Sequence, residues 1–492
     1  MITFFIGLVI LFVGAAVYGK ICERVMKPDP SVETPAIRMA DGSDYVPMSK
    51  WKNTLIELLN IAGTGPVLGP IQGILFGPIA FLTIPIGCVL GGALHDYMSG
   101  MISVRHDGEQ MPNLIKRFLG SYIHKIYLVF VCLLMLLVGA VFIYTPGDLF
   151  VSQVLHGDAS GFNPTVIAVY GVIFVYYLLA TLMPIDKIIG KIYPLFGMIL
   201  LLSAVGIFVG VVSEGMPLTE IWEESLFDNH PLGFHFMPLF FVTVACGIVS
   251  GFHSTQAALI ARAVKNESEG RLIFYNSMIA EGFIAMSWAA AGMGVLNLHL
   301  LDEATFIKNA VSVVGFVAIH MLGNGFGTVA VFGVIILAIT SGDTALRSLR
   351  LMIGEALHID STKKKNVLML SSVIFIVVAG VLYIAKSDAA GFAVLWRYFA
   401  WANETIAVFA FAMISVYMIE NDMPYLMALI PGSFYMYVVS SYILNAKIGF
   451  QLPWLVSYVI AGVLTVAYFV AVARTKKNLT INGNRLPATD FK

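Results

Sequence analysis

Long apolar runs separated by short polar links organise this chain from end to end. A helix needs about 20 mainly apolar residues to cross roughly 30 Å of hydrocarbon, and successive runs reach that length. Thirteen spans are expected, at about 2–20, 52–75, 76–98, 124–146, 164–184, 190–212, 236–262, 273–296, 312–341, 366–386, 392–419, 424–444 and 453–473. Residues 2–17 have no basic residue ahead of them, unlike the start of a secretory signal, so they read as a true span. The longest polar stretch, 21–50, is too short for a core of its own and reads as a loop. The pattern is that of an all-α polytopic membrane protein of about 13 spans.

Composition agrees. Of 492 residues, 58% are hydrophobic and 12% charged, with a mean hydropathy of +0.85. That is too little charge to coat a water-facing surface, so the bilayer is the solvent. A net charge of −1 gives no basic footprint for nucleic acid. Cys22, Cys88, Cys132 and Cys246 form no CxxC pair, which argues against a disulfide frame or zinc knuckle.

The placement of charge says more than its sum. With the N-terminus outside, the inner segments 20–52, 99–125, 185–191, 262–271, 347–365 and 474–492 hold 25 of the 29 Lys and Arg residues. The outer loops keep Lys308, Lys386 and Lys447, Arg397 lies within or beside a span, and loop 213–233 carries five acidic residues and no basic one. The positive-inside rule predicts this asymmetry for thirteen spans with the N-terminus out and the C-terminus in.

Two spans carry interruptions that an ordinary helix avoids, because each backbone group freed in lipid costs several kcal/mol unless protein or trapped water satisfies it. The second span contains Ile61-Ala62-Gly63-Thr64-Gly65-Pro66, where Gly63 and Gly65 can leave helical geometry and Pro66 suits the start of a new half-helix. The seventh contains Gly247-Ile248-Val249-Ser250-Gly251-Phe252-His253-Ser254, with Ser254 expected to cap the continuation. Glycines that merely allow close packing are the plainer alternative. Each broken span, however, opens a set of five, and an odd number turns the second set over. The expectation is a 5+5 inverted repeat: 1–50 an extra N-terminal span and loop, 51–212 and 213–420 the repeats, and 421–492 two C-terminal spans and a tail. Such repeats build a midplane site from discontinuous helices.

The strings DYVPMSKW, NIAGTGPVLGPI, HDYMSGMISVRHDG, ACGIVSGFHSTQ, SGDTALRSLRLMIGE and LWRYFAWANE occur in the order seen in the carbon starvation protein A family, and the chain resembles that family over about 40–420. The resemblance implies a leucine-transporter-like fold and a transporter in a prokaryotic inner membrane, linked to uptake of peptides or pyruvate. Many relatives have a His-His pair shortly before the IAG string, where this chain has Ile56 and Glu57.

Backbone N–H groups at Gly63, Thr64 and Gly65 can hold a carboxylate at the start of a half-helix. Gly247, Ser250, Gly251, His253 and Ser254 would face them, His253 donating to a carboxylate or relaying a proton. In the leucine-transporter-like fold, the helix corresponding to span nine supplies a hydroxyl pair to Na⁺, here Thr340 and Ser341, with carbonyls from residues 61–65, Ala62 among them. Hydroxyls in membrane helices more often bond their own backbone. Asp343 and Arg347, four apart, read as a structural ion pair. Buried acids by default point to function, which brings in Glu57, Asp96 beside His95, Glu281 and Glu404. Glu57 and Thr64 are seven apart, on similar faces of one helix, so Glu57 leads as proton carrier or ion ligand. His95 and Asp96 more simply fix the next loop or meet a basic residue.

The expected function is a secondary transporter, not an enzyme. It would import a small carboxylate-bearing solute, pyruvate ahead of short peptides, coupled to H⁺ or Na⁺ and needing no cofactor. No GxxxxGK[ST] motif is present. A membrane sensor is the second class, with no evident output domain, and an intramembrane enzyme the third. The expected partners are the small solute and membrane lipid; oligomeric state is open.

Overall fold

The computed structural model describes residues 1–42, 44–182, 186–227, 229–359, 363–388 and 390–480. The expected tail beyond 480, parts of the links near 183–185 and 360–362, and Asp228 lie outside the described residues. The regular structure among the described residues is all helical, and the chain is a multi-pass membrane protein. Among the described residues eleven helices are long and apolar enough to span a membrane; a bent pair, if taken as one, makes twelve, and one further apolar helix is shorter.

In chain order the helices are α1 (Ile2–Met26), α2 (Lys50–Ile61), α3 (Gly65–Gly73), α4 (Ala80–Arg105), α5 (Met111–Val154), α6 (Pro164–Leu182), α7 (Asp186–Ser213), α8 (Phe236–Ile248) and α9 (Gly251–Ile260). There follow α10 (Glu267–Asn297), α11 (Glu303–Lys308), α12 (Ala310–Ala356), α13 (Lys364–Ser387), α14 (Gly391–Glu420), α15 (Leu426–Asn445) and α16 (Trp454–Thr480). Glycine marks where the long ones turn: Gly120 in α5 and Gly323 in α12 take positive φ, which an L side chain resists.

Burial sorts the bundle into centre and rim. The apolar window of α14 is 94% buried and that of α16 only 17%, so α14 is core and α16 faces lipid. Exposed Val459, Val463 and Val466 on α16, like Ile376 and Ile384 on α13, are the outward apolar surface a bilayer solvates.

At one end of the bundle the stretch between α1 and α2 lies over the α9–α10 connection. Thr34 Oγ1 donates to Val264 O (2.6 Å), Met48 N to Ala263 O (3.1 Å) and Asn53 Nδ2 to Ala263 O (2.9 Å). Arg105 forks onto Glu267 at 2.9 and 3.1 Å. Asp343 and Arg347 do pair, at 3.5 Å. Lys386, expected in an outer loop, is instead buried on α13, bonded to both oxygens of Asp148 at 2.7 and 2.6 Å and to Ala159 O. Hydropathy assigns lysine to water, but a carboxylate and the Tyr144 ring, 4.4 Å away, compensate for its burial here.

α1 has no acid of its own in its first turn. Glu220, from the loop between α7 and α8, takes that place, accepting from Ile2 N (2.7 Å), Thr3 N (2.8 Å) and Thr3 Oγ1 (2.5 Å). Burial opposes its ionisation, but these donors and the Met1 amino group outweigh it and hold the carboxyl at about 2, below its usual 4.5. Glu220→Ala should cost about 1 kcal/mol, as losing a helix cap does, measured as a lower unfolding midpoint in detergent. In the parent, because the folded value is depressed, the contribution is complete above pH 4.5 and should fade as pH falls toward about 2. Equal midpoints at pH 7 would refute the cap.

Candidate functional site

Both expected breaks are present. The first bends the chain by 50° between α2 and the α3 segment. Ala62 leaves helical geometry (φ −81°, ψ 58°), its N–H still reaching Leu58 O while Gly63 N turns back to Ile61 O at 2.9 Å. Thr64 starts α3, its Oγ1 buried and without a partner among the described residues, and Pro66 stands in the first turn, where its missing N–H costs nothing. The second break is two extended residues, Val249 (φ −154°, ψ 139°) and Ser250 (φ −141°, ψ 125°).

The cap of α9 differs from expectation. Ser250, not Ser254, occupies the N-cap; Ser254 lies inside the helix and donates to Gly251 O at 2.7 Å. The break falls earlier than the glycine spacing implied because Asn403, on α14, receives it from outside. Its Oδ1 accepts from Ser250 Oγ (3.0 Å) and Phe252 N (2.9 Å), and its Nδ2 faces Cys246 Sγ at 3.4 Å. Asn403 thus satisfies the N–H that the extended residues release, as a low-dielectric interior demands.

The half-helices pack with almost no clearance. A Cβ on Gly65 would lie 2.3 Å from Cys246 Cβ, one on Gly69 2.9 Å from Thr243 O, and one on Gly73 2.3 Å from Val244 Cγ1. Gly247 faces Ala285 Cβ at 3.1 Å and Gly251 faces Asn403 O at 2.5 Å, whereas Gly63 has only Phe142 within ordinary contact. The packing reading of the glycines therefore holds at Gly65, Gly247 and Gly251.

Beside the second break lies a buried cluster of charge. Asp96, on α4, bridges two imidazoles: Oδ1 meets His95 Nδ1 at 2.7 Å and Oδ2 meets His253 Nδ1 at 3.0 Å. Across the ring, His253 Nε2 faces Glu281 Oε2 of α10 at 3.5 Å. Glu57 of α2 is fully buried within electrostatic reach of Asp96 and Glu281, and neither of its oxygens has a hydrogen-bond partner among the described residues. Asp96, His95, Glu57 and Glu281 are 0% exposed, and His253 1%. Three carboxylates and two imidazoles from four helices thus share one enclosure, able to take up, hold and exchange protons.

Asp96 does meet a basic residue, but the partner is His253, 157 residues away in sequence, which no local spacing announces. One residue argument changes. Glu57 and Thr64 do not share the face of one helix, because the 50° bend falls between them. Glu57 enters the site through Asp96 and Glu281 instead. Thr340 Oγ1 donates to Ile336 O and Leu337 O of its own helix, both at 3.0 Å, while Ser341 Oγ is buried without a partner among the described residues. Glu404, next to Asn403, is likewise buried and unpartnered among the described residues.

The family model for carbon starvation protein CstA matches residues 1–170 and 147–315. An uncharacterized membrane protein of Haemophilus influenzae is 43% identical over 348 residues, 62% of this chain and 94% of that protein. The Escherichia coli peptide transporter CstA is 25% identical over 59% of this chain, and the pyruvate/proton symporter BtsT of the same organism 27% over 54%. The matches cover only 48% and 45% of these two named transporters, so the chain spans about half their length. Among solved structures, a crystal structure of an Eremococcus coleocola manganese transporter variant superposes with a TM-score of 0.57 at 13% identity, covering 89% of this chain and 98% of that one. At that identity the likeness concerns the fold alone.

The tight contact between α3 and α8 makes a sharp test. Gly65→Ala should lower the unfolding midpoint, and adding Cys246→Ala should not restore it, since the clash is with Cβ. Adding Cys246→Gly should recover most of the loss, less about 1 kcal/mol for a helical glycine. Rescue by Cys246→Ala would contradict the geometry.

Proposed function

This chain belongs to the carbon starvation protein CstA family, and from that we propose that it is a secondary transporter importing a small carboxylate-bearing solute, pyruvate ahead of short peptides, in symport with protons. The observation that carries the proton reading is the enclosure in which Asp96 bridges His95 and His253 beside Glu281 and Glu57. A helix break adjoining titratable groups couples solute to ion economically, because one rearrangement of α9 moves His253 relative to both Asp96 and Glu281. The substrate sits, in this reading, at the breaks. Thr64 and the first turn of α3 face its carboxylate, with Gly63 and Gly65 beside them, and Ser250, His253 and Ser254, flanked by Gly247 and Gly251, approach from the other half. The name of one relative, a pyruvate/proton symporter, favours pyruvate and H⁺; other relatives bear the name of peptide transporters.

The architecture proposed for this work has thirteen crossings. It counts the bent pair as one and the short apolar Pro164–Ala180 as another, in addition to the eleven long helices. The two interrupted helices, each opening a set of five, support a 5+5 inverted repeat. The charge asymmetry supports an N-terminus outside, a C-terminus inside and residence in a prokaryotic inner membrane.

The Na⁺ alternative rests on Thr340, Ser341 and the carbonyl of Ala62, and Ser341 Oγ is the observation in its favour. Proteoliposomes separate the two. An inward proton gradient should drive accumulation of radiolabelled pyruvate, and Glu57→Gln or Asp96→Asn should reduce gradient-driven accumulation by about tenfold or more, the scale of losing one to two kcal/mol of coupling. Accumulation that follows an imposed Na⁺ gradient and vanishes in Thr340→Ala/Ser341→Ala would replace protons with sodium. Binding without accumulation would sink the transport reading.

A further inference from the structure

Away from the charged cluster, toward the end of the bundle that carries the loop between α7 and α8, lies a small cavity of about 20 Å³. Gln72 of α3, Thr243 of α8, Ile307 of α11, Arg397 of α14 and the loop residues His230 and Phe234 are among its walls, and no carboxylate lines it. Its polar lining is weighted toward donors. Gln72 is 6% exposed, and its Nε2 has no partner among the described residues. A buried amide N–H left unpaired costs about 1–3 kcal/mol, so this one calls for an acceptor.

Arg397 adds a full charge. It is half-buried in a span, its guanidinium 5.3 Å from the Phe234 ring centroid and hydrogen-bonded to the Tyr442 hydroxyl, and no carboxylate pairs with it among the described residues. Arg105, Arg117 and Arg271, by contrast, each hold a glutamate. His230 completes the set. Leu232 N donates to its Nδ1 at 3.1 Å, which leaves the ring proton on Nε2. Burial, then the Arg397 charge, push its pKa down to about 4, so at neutral pH it is an uncharged donor. One fixed positive charge with neutral donors suits a monoanion, and the planar guanidinium fork matches the two oxygens of a carboxylate. The space fits a carboxylate head rather than a whole organic acid.

We propose that this cavity is a second carboxylate-binding site, distinct from the charged cluster, in which Arg397 pairs with the carboxylate of the solute and Gln72 Nε2 donates to it. Resting on the import reading, with the loop between α7 and α8 outside, it is where solute is first held. Gln72 lies two helical turns from Gly65 on the same half-helix, so occupancy here acts on the element that forms the first break.

The test reads Arg397 itself and requires no gradient, so it stands apart from the question of coupling and transport. Full-length protein in detergent is labelled with phenylglyoxal, and modification of Arg397 is mapped by peptide mass spectrometry. Acetate and pyruvate should each slow labelling of Arg397, with chloride at equal ionic strength far less effective. Gln72→Leu, close to isosteric and keeping the guanidinium, should raise the half-protecting acetate concentration about tenfold or more, as loss of one hydrogen bond to a charged group does. Unchanged labelling with either carboxylate would overturn the proposal, and so would protection by chloride equal to that by acetate. Should Gln72→Leu unfold, judged by its thermal midpoint, the comparison of acetate with chloride on the parent decides.

Discussion

A peptide group that leaves the helical ladder inside hydrocarbon has no water to turn to, and the architecture follows from how this chain meets that constraint twice. At the second break Asn403 reaches across from α14 to receive Ser250 Oγ and Phe252 N. Gly92 of α4 lets the Ile248 carbonyl approach to where a Cβ would be only 2.1 Å away. At the first break the chain closes on itself, with Gly63 N on Ile61 O. Helix α14, which supplies the partner, and α4, which packs against the break, both stand beside it, and α4 brings Asp96 with it. The groups that make the interruption tolerable and those that make it chemically useful arrive on the same elements.

That arrangement explains why so much charge sits in so little volume. An isolated carboxylate at this depth would be prohibitive, but Asp96 has an imidazole on each oxygen and Glu281 faces the far nitrogen of one of them. Glu57 approaches the same enclosure from α2. His253, on α9, thus faces two acids at once, one on each side of its ring.

Much of this is legible in the chain because the bilayer imposes simple rules. Span positions follow from apolar length, and the breaks from Gly63-Thr64-Gly65-Pro66 and from the glycines around Ser250, since few sequences tolerate such residues mid-membrane. Glu57, Glu281 and His253 stand out for the cost of burying them. What local spacing does not convey is who faces whom. Asp96 meeting His253, Asn403 capping α9 and Lys386 burying itself on Asp148 are long-range contacts decided by how the helices pack. The Glu57–Thr64 pairing fails for a related reason: a seven-residue period holds only along an unbroken helix, and here the bend intervenes.

Helix α1 lies at the rim and contributes nothing to either site, yet both its ends are tied. Glu220 holds its first turn, and at its last Glu23 meets Arg271 of α10 at 3.2 Å. Between them a Cβ on Gly7 would lie 2.0 Å from Phe81 O of α4, and one on Gly19 3.1 Å from the Tyr275 ring of α10. The helix is a clamp running the length of the bundle and riveting α4 to α10. Asp96 and Glu281 stand on the two helices it joins, so α1 helps to set the separation of the two acids that face His253.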